Sequence, residues 1–123
     1  MKKDIGISET EWMIMEIIWK KPMQTIGEIK GSLSGVEWSD STLKTLVRRL
    51  VMKGAVGYDD TKGHFRYYPI ADEKECRLKE TRNFIDRIYN GSVKLMMASL
   101  VSDSGLSDDK AKELMDIIDR MEE

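Results

Sequence analysis

Ser39, Ser41, Thr42, Lys44, Thr45, Arg48 and Arg49 are crowded into one short stretch of the chain. They are hydroxyls and long cations, and Asp40 is the only acid among them. No nucleophile–base pair can be built from such a set, because it has no histidine and no free carboxylate pair. What it can do is hydrogen-bond to acceptor atoms and neutralise phosphate. Leu43, Leu46, Val47 and Leu50 interleave with it at helical spacing. A helix would turn that apolar stripe inward and leave the hydroxyls and cations on the opposite face. Hydroxyls there can bond phosphate oxygens or base edges, and Lys or Arg can reach guanine or phosphate. A smaller set follows at Lys62, His64 and Arg66, where Asp59 and Asp60 oppose a close approach to phosphate.

The charge distribution agrees with this placement. The chain of 123 residues has a net charge of −2. Residues 1–70 hold 11 Lys+Arg against 9 Asp+Glu, and residues 71–123 hold 9 against 13. Within residues 41–67, Lys44, Arg48, Arg49, Lys53, Lys62 and Arg66 face only Asp59 and Asp60, so positive charge is concentrated in one short segment, as a local nucleic-acid footprint would be. Other chemistries lack their residues. His64 is the only histidine and Cys76 the only cysteine, so no metal set, internal disulfide or cofactor site is expected. No hydrolase triad, phosphate-cradling glycine loop or carboxylate pair is recognisable, which argues against an enzyme. A winged-helix module that binds proteins instead of DNA would tend to replace Lys44, Arg48 and Arg49 with apolar or acidic residues. No apolar run approaches the roughly 20 residues that cross a bilayer. Met1-Lys2-Lys3-Asp4 does not open a signal region, so a cytoplasmic protein without membrane insertion is expected.

The elements that must hold these residues are signalled in order. Ser8 with Glu11, and Thr25 with Glu28, are capping-box pairs that begin two helices. Trp12, Met15, Ile18 and Trp19 recur at helical spacing in the first, and Pro22 ends it. Ser39 caps the third helix, and Gly54 stops it. Val56-Gly57-Tyr58 and Phe65-Arg66-Tyr67-Tyr68 then read as the strands of a hairpin around a polar loop. Three further helices follow. They run from Asp72 to Tyr89, from Val93 to Val101, and from the cap Ser107 to about Met121, with breaks at Asn90-Gly91 and Gly105. The expected fold is mainly α with a small β-hairpin: a winged helix-turn-helix domain over residues 1–71 and a helical dimerisation region over 72–123. In such a fold the third helix enters the major groove.

The stretch from Trp38 to Gly54 resembles the recognition-helix signature of the penicillinase repressor family, of the BlaI/MecI/CopY type. Trp38, Ser39, Thr42, Thr45, Leu46, Arg49, Leu50, Lys53 and Gly54 stand at its defined positions. Ile18-Trp19, the wing run Phe65-Arg66-Tyr67-Tyr68 and the tail run from Phe84 to Gly91 extend the likeness over about residues 5–121. The resemblance implies a homodimeric, sequence-specific transcriptional repressor on a palindromic double-stranded operator. In one branch it also implies release by a membrane sensor protease that leads to a cut in the dimerisation region. The matching bond here would be Ser99–Leu100, where the family has Asn–Phe, so the chain departs on both sides. The copper-sensing branch carries paired C-terminal cysteines; with Cys76 alone, this chain is closer to the BlaI/MecI branch.

A single winged helix reads only a few base pairs, so the tail is expected to supply a dimer. Val93, Met96, Met97, Leu100 and Val101 in one short helix, and Leu114 and Ile118 in the last, would pair around a two-fold axis. Phe84 and Ile88 would brace the join.

Overall fold

The computed structural model describes residues 6–121. Met1–Asp4, read above as a lead-in without a signal region, lie outside them, as do Glu122 and Glu123. The order is α1 (Glu9–Lys20), α2 (Ile26–Ser32), α3 (Asp40–Met52), β1 (Val56–Asp59), β2 (Arg66–Pro69), α4 (Glu73–Tyr89), α5 (Val93–Ser102) and α6 (Asp108–Asp119). The described residues fall into two compact units that divide between Glu73 and Lys74.

Three helices and a hairpin make the first unit, a winged helix. Each helix starts where a side chain can satisfy its free N–H groups. Ser8 and Thr25 both close reciprocal capping boxes, with Ser8 N–H donating to Glu11 at 2.9 Å and Thr25 N–H to Glu28 at 3.0 Å. Ser39 Oγ accepts from Thr42 N–H at 3.1 Å, without a reciprocal acid. The apolar faces of the helices meet in one core. Ile14, Met15 and Ile18 of α1, Ile29 of α2, and Leu43, Leu46, Val47 and Leu50 of α3 are all buried, with Ala55 and Val56 beneath them. At the end of α3, Gly54 N–H donates to the Val51 carbonyl and Ala55 N–H to the Leu50 carbonyl, both at 3.0 Å. This paired closure needs a left-handed residue, and Gly54 has φ +81°. The chain thereby reverses straight into β1.

β1 and β2 pair antiparallel from Val56 opposite Pro69 to Asp59 opposite Arg66. β1 starts at Val56 as its pattern suggests and runs one residue further, whereas β2 sits one residue later, so Phe65 belongs to the loop and Pro69 pairs at the strand end. A third piece joins the sheet. Gln24 bridges Tyr67, with Tyr67 N–H donating to the Gln24 carbonyl at 2.8 Å. Nothing in the local sequence marks Gln24 as extended, because its partner lies far along the chain. Its buried amide donates to the Ile17 carbonyl at 2.9 Å and also to the Lys21 carbonyl, which ties the end of α1 to the wing.

In the second unit α5 and α6 pack together, and Lys94 pairs with Asp119 at 3.8 Å. Asn90 and Gly91, both at positive φ, separate α4 from α5. Ser92 and Ser107 cap α5 and α6. Among its described residues only Ile85 and Ile118 are buried hydrophobics, while α4 to α6 leave many apolar side chains in solvent.

Candidate nucleic-acid interface

α3 carries the site because its two faces are sorted by residue type. The four leucine and valine positions named above anchor it in the core. Ser39, Ser41, Thr42, Lys44, Thr45, Arg48 and Arg49 are all exposed. Among the described residues, none of Lys44, Arg48 and Arg49 makes an ion pair. The one acid that α3 itself carries is hydrogen-bonded elsewhere. Asp40, at the first turn, takes Lys30 of α2 at 2.6 Å, and that hydrogen bond and charge hold its carboxyl below the usual range. The pair also joins α2 to the start of α3.

The hydroxyls are oriented by the helix itself. Thr45 Oγ1 donates its proton to the Ser41 carbonyl at 3.0 Å. Its lone pairs are therefore what it offers outward. Thr42 Oγ1 accepts from Ser39 Oγ at 3.1 Å and keeps its own proton to give. One turn of α3 thus presents a donor and an acceptor side by side, next to Lys44 and Arg48.

The last base of α3 is not part of this face. Lys53 donates to the buried Glu11 of α1 and, at 2.8 Å, to the Gly6 carbonyl. Burial pushes the Glu11 carboxyl up. Hydrogen bonds from Lys53 and from the Ser8 backbone and hydroxyl, with the Lys53 charge, outweigh it and leave the pKa below its ordinary 4.5. Lys53 therefore locks α3 to α1 and is structural.

On the wing, Lys62 is exposed in the loop, while Arg66 is half-buried in β2. Arg66 lies within electrostatic reach of both Asp59 and Glu28, so its charge is partly answered inside the unit. Asp59 also accepts from Thr61 N–H at 2.8 Å, which shapes the loop. Between α3 and the wing runs a groove of about 940 Å³, with Lys44 and Arg48 on one side and Tyr58, Phe65 and Tyr67 on the other. Burial and the neighbouring Tyr58 raise the Tyr67 phenol, and the Arg48 charge opposes them.

In the tail, Phe84, Ile88, Val93, Leu100 and Leu114 are exposed, and Met96, Met97 and Val101 are half-buried. Ile118 differs from its tail partners. It is 1% exposed in the single chain, so it already serves the fold of one protomer. Leu95, Leu106 and Ile117, not singled out from the sequence, are also exposed. Ser99 and Leu100 are exposed on α5. Among the described residues no group of three or more potential metal ligands occurs, and no helix is long and apolar enough to cross a membrane.

Comparison with known proteins places this arrangement. The methicillin resistance regulatory protein MecI of Staphylococcus aureus (strain N315) is 31% identical over 119 residues, 96% of this chain and 97% of its own. The penicillinase repressor of Bacillus licheniformis is 32% identical over 120 residues, 97% of this chain and 94% of its own. The solution structure of the DNA-binding domain of the repressor BlaI superposes with a TM-score of 0.52 at 36% identity, over 61% of this chain and 93% of that one. A sequence model of the penicillinase repressor family matches residues 7–120. From near its first helix to near its last, the chain belongs to the penicillinase repressor family.

Proposed function

We propose that this protein is a homodimeric transcriptional repressor that reads a palindromic operator through α3. The observation that carries the reading is the exposed outer face of α3, where three cations lack ion-pair partners among the described residues and two threonines present fixed hydrogen-bonding polarity. Its relatives include repressors and a DNA-binding domain, which supports the same reading. In this proposal Ser41, Thr42, Lys44 and Thr45 face base edges. Thr45, with its proton committed inward, accepts from an amino group such as adenine N6 or cytosine N4. Arg48, Arg49 and the wing residues Lys62 and Arg66 hold phosphates, while Ser39, whose proton goes to Thr42, can reach one only through its backbone N–H.

The dimer forms through the tail. Two copies bury the apolar side chains that one chain leaves in water, at about 25 cal/mol per Å² of apolar surface. In this proposal the DNA-binding domain covers residues 1–71 and the dimerisation region 72–123, a boundary two residues before the division between the compact units. Release belongs to the same proposal: a membrane sensor protease leads to a cut at Ser99–Leu100, which divides α5 and separates the tails. A bond within a helix must first unwind to enter a protease cleft, so the cut depends on local opening of α5.

Selection of bound duplexes from a random library, followed by a salt titration on the winner, tests the core of this. A repressor of this kind enriches an inverted repeat, and its log affinity falls linearly and steeply with log salt. Enrichment of no sequence, with affinity flat in salt, overturns the reading.

A further inference from the structure

We propose that the groove between α3 and the wing binds a small aromatic carboxylate, and that this ligand and DNA exclude one another. The proposal rests on the DNA-binding reading above only for the exclusion. At about 940 Å³ the groove is the size of a small-molecule site. One wall is a run of rings. Tyr58 and Phe65 meet edge to face with centroids 5.1 Å apart, and Phe65 meets Tyr67 at 6.5 Å. The other wall brings Lys44 and Arg48 from α3.

DNA explains the cations but not the rings. A phosphate backbone seeks N–H donors and positive charge, and the face of an aromatic ring carries partial negative charge that repels it. Yet Tyr58 and Phe65 are 52% and 51% exposed, so this apolar wall stands open to water. A flat ring bearing a carboxylate answers both walls at once. Its ring packs against Phe65 and Tyr58, and its carboxylate takes Arg48 or Lys44 in charge-assisted hydrogen bonds. Asp60, the one acid among the described residues that lines the groove, sits on the loop side and turns the carboxylate towards α3. Lys44 and Arg48 cannot serve ligand and DNA together, so occupancy of the groove releases the operator without a cut in the chain.

The probes are 1-naphthoate and its uncharged analogue 1-naphthamide, titrated first into the full-length protein without DNA and followed by amide NMR. Shifts confined to α3, the wing and the start of α2, where Thr25 to Gly27 also line the groove, are expected with naphthoate, and naphthamide should bind about tenfold more weakly. Phe65→Ala removes a loop ring and Lys44→Gln an exposed cation; each should weaken naphthoate about tenfold while the amide spectrum elsewhere is unchanged. Naphthoate should then displace a selected duplex from the wild-type protein, and naphthamide should not. Shifts outside the groove, equal affinity for the two probes, indifference to both substitutions, or simultaneous binding of naphthoate and DNA overturns the proposal. The titrations without DNA stand even if no duplex binds, so failure of the repressor reading is seen separately.

Discussion

Thr45 shows how much one hydrogen bond decides. Its proton goes to the Ser41 carbonyl, so its oxygen faces outward as an acceptor. Thr45→Val keeps the shape and removes the acceptor. It should cost about 1–3 kcal/mol on the preferred duplex and little on random DNA, measured by fluorescence anisotropy at fixed salt. Equal losses on both would show that Thr45 does not read sequence. Glu11 acts on stability instead. Its carboxyl is 1% exposed and held below 4.5 in the fold. A depressed folded pKa makes its contribution fully present above the unfolded value and removes it as pH falls through the folded one. Glu11→Gln should therefore lower stability at neutral pH by about 1–3 kcal/mol. Denaturation curves of variant and parent should converge below pH 4.5, because protonation undoes the same interaction in the parent. Curves that stay parallel into acid would assign that acid loss to another group.

At the scale of elements, the wing is constrained by one close approach between its strands. Gly57 in β1 lies under the Tyr68 ring of β2; an added Cβ would stand 2.5 Å from Tyr68 Cζ. Gly57→Ala should destabilise the first unit by about 1–3 kcal/mol, as overpacking does. Tyr68→Ala in the same chain should recover most of that loss in thermal melts, since the two sites share one clash. Lys62, free of such packing, should act through charge alone. Lys62→Ala should weaken all duplexes alike and lower the slope of log affinity against log salt by about one unit. An unchanged slope would mean the loop does not reach the backbone through this residue.

For the whole molecule, the proposed repressor depends on holding two reading helices on one duplex. Half-sites one helical turn apart are about 34–36 Å from centre to centre, and one winged helix spans too few base pairs to be selective. The exposed Phe84, Ile88, Leu100 and Leu114 are what a partner tail would cover. Truncation after Glu73 should leave a folded monomer that binds DNA weakly and with little preference. That cut keeps Ala71, whose carbonyl accepts Trp19 Nε1–H at 2.9 Å and closes the first unit. Sedimentation checks it: a dimeric fragment, or a full chain that stays monomeric at micromolar concentration, would remove the tail from the account.

The sequence by itself determined the features that need only neighbours. Ser8 with Glu11 and Thr25 with Glu28 mark helix starts because a capping box closes within three residues. The Leu43–Leu50 stripe orients α3 because helical periodicity alone separates its faces. Gly54 ends α3 because only the left-handed region closes it there. Tertiary structure decided what depends on residues far apart in the chain. Lys53 leaves the basic face for Glu11, 42 residues away, and Trp19 closes on Ala71 across 52. Gln24 forms an isolated β-bridge only because Tyr67 arrives beside it. Ile118, equal to Leu114 in the sequence pattern, is buried where Leu114 is exposed. The ring-walled groove exists only once the hairpin folds back beside α3. A pattern along one helix says which face is apolar; which of its residues is covered, and by what, is set by contacts that no local period encodes.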